Sequence, residues 1–271
     1  MLKFKDIFSR KCSVIGMIHV GALPGTPSYA GDINKLVSKA CKEAQIYLSY
    51  NLDGILVENM HDIPYIQSHH FGPEVGVTMS RVCSELRKVV PDNVACGVQV
   101  LSCGNKEAMA IAKVCSFDFI RAEGYVFSHI GDEGFANANA GTLLRYRKQI
   151  GAQNVLVFAD IKKKHSSHAI TSDVSLEDTA KAAEYFLADG LVLTGTSTGV
   201  PASTHEMQSL KKCVNLPIII GSGVTIDNVD HYLSAHALIV GSHFKEGGKW
   251  NNDIDEQRVE KFMQKLVQLN K

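Results

Sequence analysis

The sequence predicts an α/β fold of the (β/α)8 TIM-barrel type, with eight parallel strands closed into a barrel and helices on the outside. Short apolar segments alternate with amphipathic helical segments along the whole chain, and there are eight such apolar segments. Each is a continuous apolar run rather than an alternating one, which is typical of strands buried on both faces of a parallel sheet. The length of 271 residues also fits, because one such barrel uses about 250 residues.

The elements follow one another in the order that the fold requires. Strands are predicted at residues 12–18, 54–57, 94–100, 117–121, 155–161, 190–194, 217–221 and 237–241. Helices are predicted at residues 33–49, 76–89, 106–115, 175–187, 226–233 and 255–269. Ser175 and Thr225 are suitable helix caps, with Asp178 and Asn228 three residues further on. Asp53, Asp118 and Asp189 stand just before strands, which indicates short helix-to-strand turns.

An open, doubly wound sheet is the alternative fold, and the first βα turn argues against it. No glycine-rich dinucleotide fingerprint follows the first strand, whereas nucleotide-binding sheets of that type carry one. No linker, charge run or low-complexity segment divides the chain. We therefore expect one domain over residues 1–271, with residues 1–11 as a short N-terminal extension.

The charge balance and the cysteines exclude several classes of protein. The chain has 28 basic and 28 acidic residues, which argues against the broad basic face of a nucleic-acid-binding protein. Its seven cysteines are odd in number and lack CxxC spacing, so neither a disulfide framework nor a zinc ribbon is expected. No apolar run reaches the ~18 residues of a membrane span. Residues 1–11 are mildly basic, but a strand begins directly after them, so we expect a cytoplasmic protein, with mitochondria as the alternative.

The ionisable side chains concentrate where a barrel carries its active site, at the C-terminal ends of the strands. Nine of the 11 histidines follow a predicted strand: His19, His61, His69, His70, His129, His165, His168, His205 and His243. The carboxylates there are Glu58, Asp62, Glu123, Asp132, Glu133 and Asp160. Although polar residues are common in loops, this distribution favours a site drawn from some of them. The segment 131–141, which contains Asp132, resembles a flexible lid that excludes water.

Three hydroxyl- and glycine-rich segments predict contacts with an anion or a sugar. In barrels, the loops after the seventh and eighth strands often bind phosphate, since glycine lets backbone N–H groups approach oxygen atoms and a helix N-terminus adds to the attraction. The residues concerned are Gly221, Ser222 and Gly223 after strand seven, Gly241 and Ser242 after strand eight, and Gly195 and Thr196 after strand six.

The end of strand five supplies further catalytic candidates. Residues two apart on a strand point the same way, so Asp160 and Lys162 are both expected to face the barrel mouth, as an acid–base pair or with Lys162 as a Schiff-base lysine. The following Lys163 and Lys164 are expected to be a solvated basic loop. Glu58, at the end of strand two, is a second candidate carboxylate. No fixed ligand spacing supports a metal site, and none is predicted.

The motifs on these strands resemble the BtpA family. The resemblance rests on residues 14–27 (VIGMIHVGALPGTP), Asp53-Gly54, Glu58-Asn59, Asp62-Ile63-Pro64, residues 118–121 (DFIR), Asp132, Gly134, Ala159-Asp160, Lys164-His165, Thr194-Gly195, Thr198-Gly199 and residues 221–225 (GSGVT). It implies a TIM barrel, and it implies either a nucleosidase or an assembly factor, since both descriptions occur in the family. The chain departs from the family pattern at residues 99–104, at Glu123 and at Lys162.

The combined features predict an enzyme that acts on a phosphorylated sugar, nucleoside or nucleotide, with N-glycosidic hydrolysis as the most specific expectation. Glu58 or Asp160 would stabilise an oxocarbenium-like state, and His19 or His165 would protonate the leaving base. The alternatives are a lysine-dependent aldolase or decarboxylase and a non-catalytic assembly factor. No cofactor is predicted, although flavin phosphates use the same two loops. The expected partner is a small phosphorylated or nucleoside ligand rather than nucleic acid, and the chain is compatible with a homo-oligomer.

Overall fold

Eight apolar strands pair in parallel and close into a barrel, so the predicted fold class is confirmed. The computed structural model describes residues 2–269. The barrel strands are β1 (Ser13–His19), β2 (Gly54–Glu58), β3 (Ala95–Gln99), β4 (Phe119–Ala122), β7 (Leu156–Ile161), β9 (Gly190–Leu193), β10 (Ile218–Ile220) and β11 (Ala237–Val240). Their order around the barrel is β1-β11-β10-β9-β7-β4-β3-β2. Every residue of these strands is buried, which explains why each forms a continuous apolar run in the sequence.

Six helices lie between barrel strands, one precedes the first strand and one follows the last, and three of the eight were not predicted. The helices are α1 (Phe4–Ile7), α2 (Ile33–Ser49), α3 (Pro73–Val89), α4 (Asn105–Val114), α5 (Ala140–Gln149), α6 (Leu176–Tyr185), α7 (Thr204–Cys213) and α8 (Glu256–Leu269). The helices that were not predicted are α1, α5 and α7. Helices α5 and α7 were missed because each buries only two side chains, which leaves a weak apolar stripe. The Ser175 cap is confirmed, since its hydroxyl accepts a hydrogen bond from the Asp178 amide at 3.0 Å.

The segment after β10 differs from the helix predicted at residues 226–233. It forms only a short 3-10 turn at Val229–Tyr232, and another 3-10 turn at Ser242–Phe244 follows β11. Near its start, Asn228 accepts a hydrogen bond from the Thr225 amide at 2.8 Å. This side-chain bond offers the backbone an alternative to a helical turn. The expected helix N-terminus next to the glycine loops is therefore absent.

The three predicted helix-to-strand turns share one hydrogen-bonding arrangement at the bottom of the barrel. Each of these aspartates stands just before one barrel strand and accepts a hydrogen bond from a backbone N–H near the start of the barrel strand before it in the sequence. The N–H of Val14 donates to Asp53, that of Cys96 to Asp118, and that of Val157 to Asp189. The donor–acceptor distances are 2.9, 2.8 and 2.9 Å. The carboxylates thus satisfy backbone N–H groups that lie at the edge of the sheet. This is a more specific role than the chain reversal that the sequence indicated.

The N-terminal extension closes the bottom of the barrel. Phe4 on α1 packs on the interior ring of Phe158, and Phe8 just after α1 packs on that of Phe119, with ring centroids 5.8 and 5.9 Å apart. Phe8 is buried within the barrel core. Aromatic contacts of this kind add packing energy beyond the burial of apolar area. Residues near the N-terminus are therefore part of the barrel's packing.

The predicted lid is an ordered hairpin. Strands β5 (His129–Gly131) and β6 (Gly134–Ala136) are antiparallel, and β8 (Ser166–Ser167) pairs with β5 to complete a small sheet. The turn between β5 and β6 holds Asp132 and Glu133, and both line the cavity described below. The hairpin comes from the βα loop after β4, so it stands on the rim of the barrel mouth. Within residues 2–269, no helix is long and apolar enough to cross a bilayer.

Candidate active site

A cavity of about 390 Å³ opens at the C-terminal ends of the barrel strands. Each of the eight barrel strands, or the loop after it, contributes at least one lining residue. The barrel interior below is filled by apolar side chains, so the cavity is a closed-bottomed mouth rather than a channel. Small-molecule sites in this fold lie at the same end of the barrel, and the volume is in the range of ligand pockets.

One wall of the cavity is made of backbone, from the loops after β10 and β11. Gly221, Ser222, Gly223, Gly241 and Ser242 all line it, as the sequence predicts. Within residues 2–269, the amide groups of Ser222, Gly223 and Ser242 donate no hydrogen bond to the protein. The Gly221 amide is already used, because it donates to the Leu193 carbonyl at 2.8 Å. Unpaired amide donors at a cavity surface are suited to anion oxygens.

Gly223 is required by the geometry of the loop. Its φ is +69°, and a Cβ atom would lie 2.3 Å from the carbonyl carbon and oxygen of Val200. The loop after β9 therefore packs directly on this glycine. Nearby, the Ser222 hydroxyl accepts from the Gly195 amide at 2.8 Å and donates to the Val200 carbonyl at 3.1 Å. Gly195 thus supports the wall without lining the cavity.

A guanidinium and a histidine complete this wall. The Nε of Arg258, on α8, donates to the carbonyl oxygen of His243 at 2.6 Å. The Nε2 of His243 accepts from the Ile226 amide at 3.2 Å, which ties together the loops after β10 and β11. Burial and the Arg258 charge lower the pKa of His243 to about 4. Arg258 is therefore the charged group that this side of the cavity offers to an anion.

The floor of the cavity carries a buried arginine held by Asp160. The Nε of Arg121 lies 3.1 Å from both carboxylate oxygens of Asp160, and its Nη2 lies 3.1 Å from Oδ1. Burial opposes the charge on Arg121, but Asp160 and Glu58 raise its pKa, so it stays protonated. Arg121 lines the cavity and Asp160 lies behind it. Asp160 thus positions a cation instead of facing the mouth as expected.

Glu58 and His19 form a second pair on the floor. His19 Nε2 lies 3.6 Å from Glu58 Oε2, and His19 Nδ1 lies 3.0 Å from the carbonyl oxygen of Trp250. Since a carbonyl only accepts, Nδ1 carries the proton and Nε2 faces the cavity with a lone pair. Burial lowers the pKa of His19 to about 3, with a contribution from Lys245. Burial raises the pKa of Glu58, against the opposing effect of Arg121.

These pKa shifts reverse the roles expected for this pair. A neutral histidine whose Nε2 is unprotonated can accept a proton at that atom but has none to donate there, so His19 is not poised as the acid that was expected. A carboxyl group with a raised pKa is the better proton donor, in this case Glu58. Nothing in the sequence pointed to the Trp250 carbonyl that sets the tautomer, because Trp250 is distant in the chain.

The three consecutive lysines after β7 have three different environments, and the expectations for them were wrong. Lys162 has a φ of +46°, so the alternation of strand side chains ends there. Its Nζ donates to the Thr171 carbonyl at 3.1 Å, outside the main cavity. Lys163 and Lys164 line the cavity instead of forming a solvated loop. Lys163 is paired with Glu123 at 3.3 Å and with Glu133 at 3.6 Å.

One buried amide is left without a complete set of partners at the cavity surface. The Nε2 of Gln99 donates to Glu123 Oε1 at 3.2 Å, whereas its Oε1 has no partner among residues 2–269. Gln99 is only 1% exposed and lines the cavity. A buried acceptor without a donor is costly, so a hydroxyl or amine of a ligand at this position would be favoured.

The loops after β7 and β9 meet at the entrance. His165 Nε2 accepts from the Thr198 amide at 3.0 Å and lies 2.9 Å from the Thr198 hydroxyl. His165 and Thr198 line the cavity, whereas Thr196 does not. The carbonyl of Thr196 accepts from the His165 amide at 3.3 Å, so Thr196 helps to hold the entrance in place.

Nine of the 13 candidate residues line the cavity and four do not. Those inside are His19, Glu58, Asp132, His165, Gly221, Ser222, Gly223, Gly241 and Ser242; those outside are Asp160, Lys162, Gly195 and Thr196. Sequence reasoning missed Arg121, Lys164, Trp250 and Arg258 as lining residues. Arg121 is the last residue of the predicted strand 117–121, two positions before Glu123, and could have been found by its place in the pattern. Among residues 2–269, no group of three or more His, Cys, Asp or Glu side chains is arranged to hold a metal ion.

The chain matches a known protein family over almost its whole length. The sequence model of the BtpA family covers residues 10–268. The chain is 45% identical over 270 residues to an uncharacterized mitochondrial protein of Caenorhabditis elegans, covering 98% of this chain and 97% of that protein. It is 31% identical over 257 residues to the photosystem I biogenesis protein BtpA of Synechocystis, covering 94% of this chain and 88% of that protein.

Solved structures with the same fold are much more distant in sequence. KGPDC of Streptococcus mutans superimposes with a TM-score of 0.62 at 11% identity, covering 96% of this chain and 99% of that chain. Phosphoribosyl anthranilate isomerase of Thermus thermophilus superimposes with a TM-score of 0.57 at 11% identity, covering 95% and 99% of the two chains. At this identity the likeness concerns the barrel alone. It agrees with the closed eight-stranded topology described above.

Proposed function

The chain belongs to the BtpA family, and from that premise we propose that it is an enzyme acting on a small phosphorylated sugar, nucleoside or nucleotide in the mouth of its barrel. The observation that carries the proposal is the division of the cavity into two unlike walls. One offers unpaired backbone amides beside Arg258, and the other offers buried ionisable side chains around Glu58. Active sites commonly hold the substrate with one set of groups and transfer protons with another set on the opposite side.

The phosphate is proposed to bind to the backbone wall. The amides of Gly223 and Ser242 would donate to its oxygens, and Arg258 would supply the positive charge. The zero formal net charge of the chain is consistent with recognition by a few local groups. Phosphoribosyl anthranilate isomerase, a neighbour in fold, is named for a phosphoribosyl compound, which makes a ribose phosphate the first ligand to test.

The sugar is proposed to lie across the floor, next to the unpartnered Oε1 of Gln99. The orphaned Oε1 of Gln99 would accept a hydrogen bond from a sugar hydroxyl. Arg121, fixed by Asp160, would donate to a second oxygen. Because Arg121 is held from behind by a bidentate carboxylate, it is positioned before the ligand arrives.

The proposed reaction is cleavage of an N-glycosidic bond. Glu58, with its raised pKa, donates its proton to the leaving nitrogen as the bond from C1 of the sugar breaks. Water then adds to C1, and the lone pair on His19 Nε2 takes the proton that the water gives up. The 3.6 Å between His19 Nε2 and Glu58 Oε2 would allow that proton to return to Glu58 after a small movement.

The test is release of free base from a panel of nucleosides and nucleotides, measured by chromatography. We expect release from a phosphorylated member, and its loss in Glu58→Gln. Lys162→Ala is the matched control, since Lys162 lies outside the cavity. No release from any member, together with no binding of sugar phosphates, would contradict the proposal.

An assembly factor without catalysis makes the opposite prediction for the same variants. The Synechocystis relative is named for photosystem I biogenesis, and a scaffold of that kind would keep its function in Glu58→Gln. The unpartnered buried Oε1 of Gln99 in the cavity favours catalysis, because an unused cavity gains nothing from the cost of burying it. For location, the cytoplasm remains the prediction, and the name of the nematode relative makes mitochondria the alternative; cell fractionation distinguishes them.

A further inference from the structure

Lys164 differs from its two lysine neighbours in having no partner for its amine. Within residues 2–269, no carboxylate oxygen lies within 4 Å of Lys164 Nζ, and no hydrogen bond is made by that atom. By contrast, Lys162 is hydrogen bonded outside the cavity and Lys163 is paired with two carboxylates. Lys164 lines the cavity, so its amine is the one that a ligand can reach.

The surroundings of Lys164 favour the neutral amine. Burial lowers its pKa, and the nearby charge of Arg121 lowers it further, against the attraction of Glu58, Asp160 and Glu123. A neighbouring cation and partial desolvation are two ways in which proteins activate a lysine as a nucleophile. Arg121 cannot move away, because Asp160 holds it on both carboxylate oxygens.

We infer that Lys164 is a nucleophilic amine that forms a Schiff base with the aldehyde or ketone carbon of an open-chain sugar phosphate. The inference rests on the proposed function, since the phosphate would occupy the backbone wall formed by the loops after β10 and β11. It names a ligand class for the cavity: a phosphorylated sugar with a free carbonyl group, which the sugar released by N-glycosidic cleavage has in its open-chain form. The alternative role for the Lys164 amine is to neutralise the phosphate charge, and in that role it would form no covalent bond with the ligand.

The step balances with groups that already line the cavity. The lone pair of the Lys164 nitrogen adds to the carbonyl carbon, and one proton passes from that nitrogen to the oxygen to give a carbinolamine. Glu58 then gives a second proton to the same oxygen, which leaves as water, and the nitrogen keeps its remaining proton and forms a double bond to carbon as a protonated imine. The imine can be reduced to a stable secondary amine by cyanoborohydride, which supplies the hydride in the test.

The test is reductive trapping of the full-length protein with ribose 5-phosphate and sodium cyanoborohydride, followed by peptide mass spectrometry. We expect the adduct on Lys164 at tenfold or more the occupancy of any other lysine, and its absence in Lys164→Met. Lys162→Ala is the matched control, and its adduct should equal that of the unmodified chain. The trapping rate should reach its half-maximum at a pH below the ~10.4 of an ordinary lysine.

Failure of this inference and failure of the proposed function give different results. If ribose 5-phosphate raises the melting temperature but no adduct forms on Lys164, the Schiff base is refuted and the phosphate site stands. If glyceraldehyde without phosphate labels Lys164 as well as ribose 5-phosphate does, and inorganic phosphate gives no protection, the nucleophile stands and the phosphate wall is refuted. Equal labelling of surface lysines and Lys164 would overturn the inference.

Discussion

Replacing Asp160 by Asn should destabilise the protein strongly, because it leaves a buried guanidinium without its carboxylate. The Arg121 side chain is 4% exposed and that of Asp160 is fully buried, and three contacts of 3.1 Å join them. Removing one partner of such a pair costs about 3–5 kcal/mol. We expect the lower end, about 3 kcal/mol, because the oxygen of the asparagine side chain can still accept a hydrogen bond from the Arg121 guanidinium. With m-values of ~3 kcal/mol per M in urea, the unfolding midpoint should fall by about 1 M.

The control is the pair between Lys39 and Asp253, whose side chains are 45% and 71% exposed. Asp253→Asn should cost no more than about 1 kcal/mol, as is usual for surface pairs. The double variant Arg121→Met with Asp160→Asn should recover part of the lost stability, because the isolated charge has been removed. Urea unfolding followed by circular dichroism measures all four proteins. The explanation is refuted if Asp160→Asn costs no more than Asp253→Asn, or if the double variant is less stable than Asp160→Asn.

Three further predictions concern the ligand and the pH dependence. Glu58→Gln should reduce base release at least ~100-fold, the scale of one proton-transfer group, and ribose 5-phosphate binding should change little. Gly223→Ala should weaken ribose 5-phosphate binding tenfold or more in calorimetry, because its Cβ would displace the Val200 backbone. His19→Gln should make the free energy of unfolding fall less steeply between pH 7 and pH 5. In the wild type the unfolded histidine gains a proton below about pH 6.5, whereas the folded one gains it only at about pH 3, so acid favours the unfolded state. At pH 5 this difference is about 2 kcal/mol.

The predictions for Gly223→Ala and His19→Gln each have an internal comparison. Gly151 has a φ of +66° and no atom within 4 Å of the place that a Cβ would occupy, so Gly151→Ala carries the backbone strain without touching the cavity. If it weakens ligand binding as much as Gly223→Ala does, the backbone wall is not the cause. For the pH effect, the unfolding free energies at pH 7 and pH 5 are compared between variant and wild type. Equal differences in the two proteins would contradict a neutral, buried His19.

The barrel could be predicted because its strands are buried on both faces and therefore leave an uninterrupted apolar signal. The glycine loops after β10 and β11 were predictable for a similar reason, since their place in the strand count fixed their position at the mouth. Helix α7 was not predictable on that basis, because it buries only Met207 and Leu210. The short 3-10 turn at Val229–Tyr232 was mistaken for a helix because its apolar spacing is the same over one turn.

The lysines after β7 illustrate where a sequence pattern stops working. The period of two assigns Lys162 to the mouth only if the strand conformation continues, and a φ of +46° at Lys162 ends it. The chain turns there, so Lys164 takes the position expected for Lys162. The pairing of Asp160 with Arg121 was equally hidden, since it joins two strands 39 residues apart. Residue types predicted a charged cavity, whereas the partner of each charge depends on the register of neighbouring strands.

The most direct test of the central claim is a crystal structure of the protein with ribose 5-phosphate at saturating concentration. We predict that the phosphate lies within hydrogen-bond distance of the Gly223 and Ser242 amides, beside Arg258, with the sugar directed towards Glu58 and Lys164. A phosphate bound elsewhere, or a barrel mouth that stays empty at that concentration, would contradict it.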